Sequence, residues 1–302
     1  MATLRAEFQR LFFPGLEELI FRSYREKTPQ FEPIFNVKSS DAAFEEDFTA
    51  AGTGLFVRTP ENTESAEDKF YPGYSIRYDH FDYLLRMGFS HQFMRDGKYN
   101  IWGDRSKDMG FSARQTREVL VADVFNNGFT ANGYDGVPLF SASHPLIRGG
   151  GPTGQVQSNV LPNVSTLSVI SYRAMLTLFR KQFDETGVRR IALEPEVLVV
   201  SPDYEFDALE IVKSAGRPDT ANRADNVTRQ RTSVTVWDYL LNAHYWFMGV
   251  AKGQHKLKVF NREMFHVMEF EDEKARVNWI QAAFAFSYGY SQYLGWFGTN
   301  PL

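Results

Sequence analysis

The stretch from Asp104 to Leu146 most restricts the folds open to this chain. A long amphipathic helix there runs into a glycine stop, a tight turn and an extended segment bounded by proline. Between Ser112 and Phe125, the apolar or small residues Ala113, Thr116, Leu120 and Val124 recur at three- and four-residue spacing, which places them on one helical face. Arg114, Arg117, Glu118 and Asp123 fall mostly elsewhere, so they are expected on a solvated or partner-facing side. Asn126-Asn127-Gly128 is expected to end the helix, with Gly128 in the left-handed conformation that glycine adopts without strain. Tyr134-Asp135-Gly136 is a turn signal. Val137 to Phe140 reads as extended, and Pro145 biases His144 the same way. Gly128, Asp135, Gly136 and Pro145 are therefore the candidate structural positions.

The ordered combination Gly128-Phe129-Thr130, Tyr134-Asp135-Gly136, then Phe140 followed by His144-Pro145, resembles the major capsid proteins of tailed bacteriophages. It is especially similar to the major head subunit of Mu-like phages. The resemblance implies a mixed α/β fold with a peripheral domain built on a long spine helix, an axial domain, an N-terminal arm and an extended β-hairpin loop. Mapped on this chain, the arm spans 1–42, the loop 43–90 with its polar tip at 58–72, the peripheral domain 91–164, the axial domain 165–255, and strands returning to the peripheral domain 256–302.

The residue patterns along the chain stand beside that resemblance. Gly15 to Lys27 forms a short helix with Leu16, Leu19, Ile20 and Tyr24 on one face, and Pro29 and Pro33 prevent it from continuing. An arm continuing extended from Phe31 to Val37 and an ordinary helix packed on its own domain both fit. From Asp41 to Ser90 two extended limbs, Phe44 to Val57 and Tyr74 to Leu85, flank a polar tip at 58–69. Such a projection has little core of its own and needs another surface to lie on. In the capsid family the loop at this place reaches over a neighbouring subunit. Lys69 and Asn62 lie near its tip. Some family members cross-link there through Lys and Asn, but two common polar residues do not carry that chemistry over.

The glycine-rich run from Arg148 to Gly154 lacks the Gly-Lys-Ser/Thr ending of a phosphate loop and reads as a flexible connector. Ser165 to Gly187 is the cleanest helix, with Val169, Tyr172, Leu176, Phe179 and Phe183 in one stripe and Gly187 as its stop. Glu196 to Ser201 reads as a strand covered on both faces. Ser201-Pro202 is expected to cap the next helix, which runs to about Ser214. Residues 217–231 form a polar loop. Strands are expected at Ser233 to Trp237, Trp246 to Ala251 and Leu257 to Phe260. From Val277 to Tyr290 a largely aromatic face alternates with one of mostly small residues, as for a strand pressed against a helix.

No reactive constellation emerges. The six histidines show no metal-ligand spacing, and no nucleophile elbow accompanies Ser141, Ser143 and His144, so His144 is assigned a structural role. The acidic groups at 45–47 and 269–273 read as solvated charge. Cysteine is absent, which removes disulfide and thiolate chemistry. No apolar run is long enough for a membrane span. The net charge of −4 gives no basic footprint for gripping nucleic acid. Twenty-seven Phe, 14 Tyr and 5 Trp fit either a large core or extensive burial between subunits.

The resemblance therefore implies a structural, non-enzymatic shell protein without cofactors. Made in the bacterial host cytoplasm and located in the virion, it would assemble with itself into hexamers and pentamers around double-stranded DNA, without sequence-specific contacts. Because the arm begins almost at Met1, a separate scaffolding protein is implied, together with a portal. Contacts between subunits are expected at Phe56, Arg58, Glu61, Lys69 and Tyr71 on the loop, Arg114 and Arg117 on the helix, and Arg217, Arg223 and Arg229 on the axial loop. Two alternatives remain: an encapsulin-like compartment with the same fold, and a soluble α/β enzyme or ligand-binding protein using a cleft between domains.

Overall fold

The computed structural model describes residues 2–50, 52–65, 67–68, 72–90, 99–148, 151–162, 165–216, 225–272 and 277–299. Four α-helices are present among them: α1 (Ala2–Tyr24), α2 (Tyr99–Asn126), α3 (Val169–Lys181) and α4 (Glu205–Lys213). The first long sheet joins β1 (Asn36–Ser39), β10 (Leu257–Asp272), β11 (Val277–Tyr290) and β4 (Phe81–Ser90) in that order. The second joins β12 (Trp296–Thr299), β9 (Trp246–Gly249), β7 (Val197–Val200) and β8 (Ser233–Val236). Two antiparallel ribbons complete the set, β2 (Phe44–Ala50) with β3 (Pro72–Asp79), and β5 (His144–Arg148) with β6 (Gly151–Gln157).

The two sheets share their burial through α2. One core gathers Met109, Ala113, Val121, Ala122 and Phe125 of that helix with Leu16 and Ile20 of α1, Ile280 and Phe286 of β11, and Val197, Val199, Phe247 and Trp296 from one face of the second sheet. A second core lies on that sheet's other face, where Leu198, Val200, Trp246 and Met248 meet Tyr172, Met175 and Phe179 of α3 and Ala208 and Ile211 of α4. β7 is thus apolar along its whole length because each alternate side chain enters a different core. Phe125 is the hub of the first core, with ring centroids of Phe35, Phe140, Trp237, Phe247 and Trp296 all 4.9 to 5.9 Å away.

α2 is buried more widely than a one-stripe reading predicts. Thr116, Leu120 and Val124 are half-buried, whereas Arg114 and Glu118, expected to be solvated, are 7 % and 3 % exposed. The helix lies between the long sheet and the N-terminal segment, so two of its sides are covered. Both charges find partners within the subunit. Arg114 Nη1 donates to the Ser23 carbonyl at 3.2 Å. Glu118 accepts from the Gln30 backbone N–H at 2.5 Å and from Trp237 Nε1 at 3.2 Å. Burial still raises the Glu118 carboxyl above its ordinary range, those hydrogen bonds offsetting part of it.

Gly128 also differs from expectation. Its φ is not positive; the chain leaves α2 through successive turns in which Gly128 N–H donates to the Phe125 carbonyl at 3.1 Å. Glycine is required there for closeness, because a Cβ would stand 2.8 Å from the Phe140 ring. Gly187 does have positive φ, but α3 stops earlier, at Lys181, with Gln182 extended. Gly187 instead closes the turn from Asp184. Ser201 does not cap the next helix through its side chain; its hydroxyl donates to the Ala243 carbonyl, and a 3-10 turn, Pro202–Tyr204, leads into α4.

Further strand-level differences have a common cause in pairing between distant segments. The described part of the glycine-rich run lies in the β5–β6 ribbon, with Arg148 opposite Gly151. β10 extends twelve residues beyond Phe260 because β11 offers hydrogen-bonding partners along nearly its whole length, although few of those added residues are buried. Phe81 to Ser90 leaves the projecting ribbon and becomes the edge strand of the long sheet. β12 pairs with β9 in the second sheet, so the last described strand does not join the long one.

Candidate assembly surfaces

Three surfaces could carry function: the projecting loop, the turn after α2, and the outer helical layer of the second sheet. The loop is held at its base. Thr49 Oγ1 accepts from Tyr74 N–H at 2.8 Å and donates to its carbonyl at 3.0 Å. Lys258 of β10 pairs with Asp47 of β2. Burial pushes the Asp47 carboxyl upward, but the Lys258 hydrogen bond and charge, together with Ser291 and Tyr78, leave it lowered. Arg189 bridges from Asp184 (3.1 Å) to Thr53 Oγ1 (3.3 Å). Beyond this base, Leu55, Phe56 and Val57 are exposed, followed by exposed Arg58 and Glu61. Three consecutive apolar side chains in water form a patch that a lone subunit leaves uncovered. Lys69 and Tyr71 lie outside the described residues, as do Arg217 and Arg223.

The other assigned positions separate clearly. Arg229 is exposed. Arg114 and Arg117 are engaged within the subunit. Arg117 donates to Tyr24 Oη at 2.6 Å and to Asn261 Oδ1 at 2.7 Å, tying α1 and β10 to α2. Asn62 has φ of 62°, the left-handed region that asparagine tolerates at loop tips.

The turn after α2 assembles into a buried polar knot. Gly136 takes positive φ, and Asp135 Oδ1 accepts from Val137 N–H at 3.3 Å. Asp135 Oδ2 lies 2.6 Å from His144 Nδ1. His144 Nε2 faces the Leu139 carbonyl at 3.2 Å and Asn159 Oδ1 at 3.1 Å, and its ring stacks on Tyr293 at 3.7 Å. Asn159 donates onward to Leu139 and to the Trp296 carbonyl of β12. Both imidazole nitrogens thus face acceptors, and the ring is fully buried. A general base must reach a substrate; this ring is enclosed on all sides. The knot is a fastener between the α2 exit turn, the β5–β6 hairpin and the second sheet. Asp135 and His144 stand out separately in the sequence, and their nine-residue separation gives no sign that they meet.

Beside the knot, Glu185 accepts from Tyr134 Oη at 3.4 Å, while its Oε2 is buried without a partner. Burial pushes its carboxyl up to about 7, with the Tyr134 hydrogen bond opposing and the charges of Asp135 and Asp184 adding to the rise. Linkage sets the direction of the effect on stability. The folded state holds the proton more tightly than the unfolded chain, so stability present at low pH declines as pH rises from about 4.5 to 7. The loss is on the order of 3 kcal/mol from this group. Glu185→Gln is expected to match wild type at pH 4.5 and to melt several degrees higher at pH 8. Parallel melting curves at both pH values would refute this.

Among the described residues, no three His, Asp or Glu side chains converge as a metal site, and no helix is long and apolar enough to cross a membrane. Asp47 and Glu45 of the acidic stretch are engaged with Lys258 and Ser40.

Comparison with known proteins decides the family. The sequence profile of the family described as phage capsid protein matches residues 85–296. The chain belongs to the phage capsid protein family. The match runs from within β4 to the first residue of β12, covering the α2 exit knot and most of both cores. The fold is similar to that of the mature capsid of bacteriophage PhiM1 (10 % identity, TM-score 0.60, covering 91 % of this chain and 87 % of that one). It is also similar to the capsid of bacteriophage JBD30 decorated with minor capsid protein trimers (14 % identity, TM-score 0.56, 71 % and 91 %). The virus-like particle from Pyrococcus furiosus shares the fold as well (9 % identity, TM-score 0.53, 96 % and 99 %). No curated protein matches the sequence.

Proposed function

We propose that this capsid-family chain is the repeating subunit of an icosahedral phage head, acting as a non-enzymatic building block. Hexamers and pentamers of it enclose double-stranded DNA, with a separate scaffolding protein and a portal as partners and the bacterial host cytoplasm as the place of synthesis. The observation that carries the reading is the projection: Leu55, Phe56 and Val57 stand exposed on a loop anchored at its base by Asp47–Lys258 and Arg189. Neighbouring subunits supply the surface this apolar patch lacks. Each contact can be weak, because a subunit held by several neighbours meets each further contact at high effective concentration. The mild net charge of −4 suits a wall that tolerates packed DNA without gripping it.

Electron microscopy of the purified protein, with light scattering for mass, tests this. Rings or closed shells are expected, alone or after co-expression with a scaffolding protein. A uniform monomer under both conditions would overturn the shell reading and favour the soluble binding protein. The second reading is a protein-packaging compartment built on the same fold. Shells filled with a cargo enzyme in place of DNA would decide for it.

A further inference from the structure

The helical layer of the second sheet carries two surfaces of opposite sign that are largely unpaired among the described residues. The first is an open cleft of about 590 Å3 beside α3. Arg173, Leu176, Thr177 and Arg180 face it at three- and four-residue spacing, as neighbours on one side of a helix must. Lys181, Arg190 and Arg231 add three further cations. The lone carboxylate among the described lining residues, Glu194, is paired with Arg180 at 2.7 Å. Arg173 Nε is buried with no hydrogen-bond partner, and Lys181, Arg190 and Arg231 make no ion pair among the described residues. Leu176, Pro195 and Val227 supply apolar lining.

The second surface is a ridge on α4. Asp203, in the 3-10 turn just ahead of the helix, then Phe206, Asp207 and Glu210 recur at intervals that keep them on one side. All four are exposed, Phe206 by 78 %. None of the three carboxylates has an ion-pair partner among the described residues, and none lines the cleft. An aromatic side chain flanked by acids thus stands on one part of the layer, and an apolar-lined, cation-rimmed cleft on another.

We propose that the two are halves of one contact, the α4 ridge of one copy seating in the α3 cleft of the next. This rests on the shell reading above. Phe206 meets Leu176, Pro195 and Val227, the carboxylates meet Arg173, Lys181, Arg190 and Arg231, and a guanidinium over the Phe206 ring adds attraction. The two halves differ, so the contact is head-to-tail. Repeated about an axis, such a contact closes a ring. Charge complementarity and shared apolar character select a second copy as occupant. Nucleic acid would leave the apolar lining unused and be repelled by the ridge.

Charge reversal tests the contact. Lys181→Glu with Arg231→Glu, both exposed in the cleft lining, is expected to lower the fraction of protein in rings or shells at least tenfold, and Asp207→Lys with Glu210→Lys to do the same. All four changes in one chain restore assembly. Because the chain has no cysteine, Thr177→Cys with Glu210→Cys in one otherwise native chain gives a second readout independent of charge: oxidised shells are expected to yield a ladder of disulfide-linked oligomers. Wild-type shells with neither a charge effect nor a ladder overturn the contact alone. Rescue of the cleft variant by reversing Glu61 and Glu64 in place of the ridge assigns the cleft to the projecting loop and overturns it too. So does a cleft variant that assembles normally but loses nucleic acid. Wild-type protein that never assembles removes the shell reading, and the contact with it.

Discussion

Gly110→Ala is expected to force the two longest helices apart. Position 110 lies where α2 crosses α1, and an added Cβ would stand 2.2 Å from the Ile20 carbonyl oxygen and 3.0 Å from the Tyr24 nitrogen. Both are backbone atoms within α1, so no side-chain rotation relieves the clash. Alanine ordinarily favours a helix interior by about 1 kcal/mol over glycine. Here that gain is opposed by overpacking, typically about 1–3 kcal/mol and more where a whole helix must shift. α1 cannot move alone, since Leu16 and Ile20 sit in the same core as Met109 and Ala113, and Arg114 and Arg117 hold Ser23 and Tyr24. The net expectation is a loss of roughly 2 kcal/mol or more, seen as a melting temperature lower by several degrees. An unchanged or raised melting temperature would contradict the observed helix crossing.

Replacing residues 51–72 by a short Gly-Ser linker is expected to leave a soluble, folded subunit that builds no stable shells. The lower ribbon keeps its pairs from Phe44 opposite Asp79 to Phe48 opposite Ser75, and Asp47 keeps Lys258. What is removed includes Leu55, Phe56 and Val57, none of which contributes to either core. The melting temperature should stay within a few degrees of wild type while scattering reports no particles. A deletion variant unfolded as a monomer would place the segment in the subunit core, and one that assembles normally would remove the projection from assembly.

Much of the fold was legible wherever burial falls on one regular side of an element. β11 runs from Val277 to Tyr290 as its alternation predicts, and β7 is buried on both faces as its unbroken apolar run predicts. The stripe of α3 is buried at Val169, Tyr172 and Phe179. The same logic failed where an element is covered on two sides by segments far away in sequence. Arg114 and Glu118 read as solvent-facing because charge is costly to bury unpartnered. Their partners stand 91, 88 and 119 residues away, and no local pattern encodes them. Gly128 was recognised as a required glycine for the wrong reason. Its constraint is the Phe140 ring, which arrives only after the chain has turned back.

The sequence by itself thus determined the family, the long α2 helix with its turn signals, and the buried strands. Those properties arise from neighbours within a few residues, where periodicity and turn chemistry act. The tertiary structure decided that Asp135 and His144 lock together, that Arg114 and Arg117 are engaged within the subunit, that β12 joins the second sheet, and that a cationic cleft and an acidic ridge, largely unpaired among the described residues, stand on one helical layer. Each depends on which distant segments share a dry interior or a common surface, and only the folded chain brings those together.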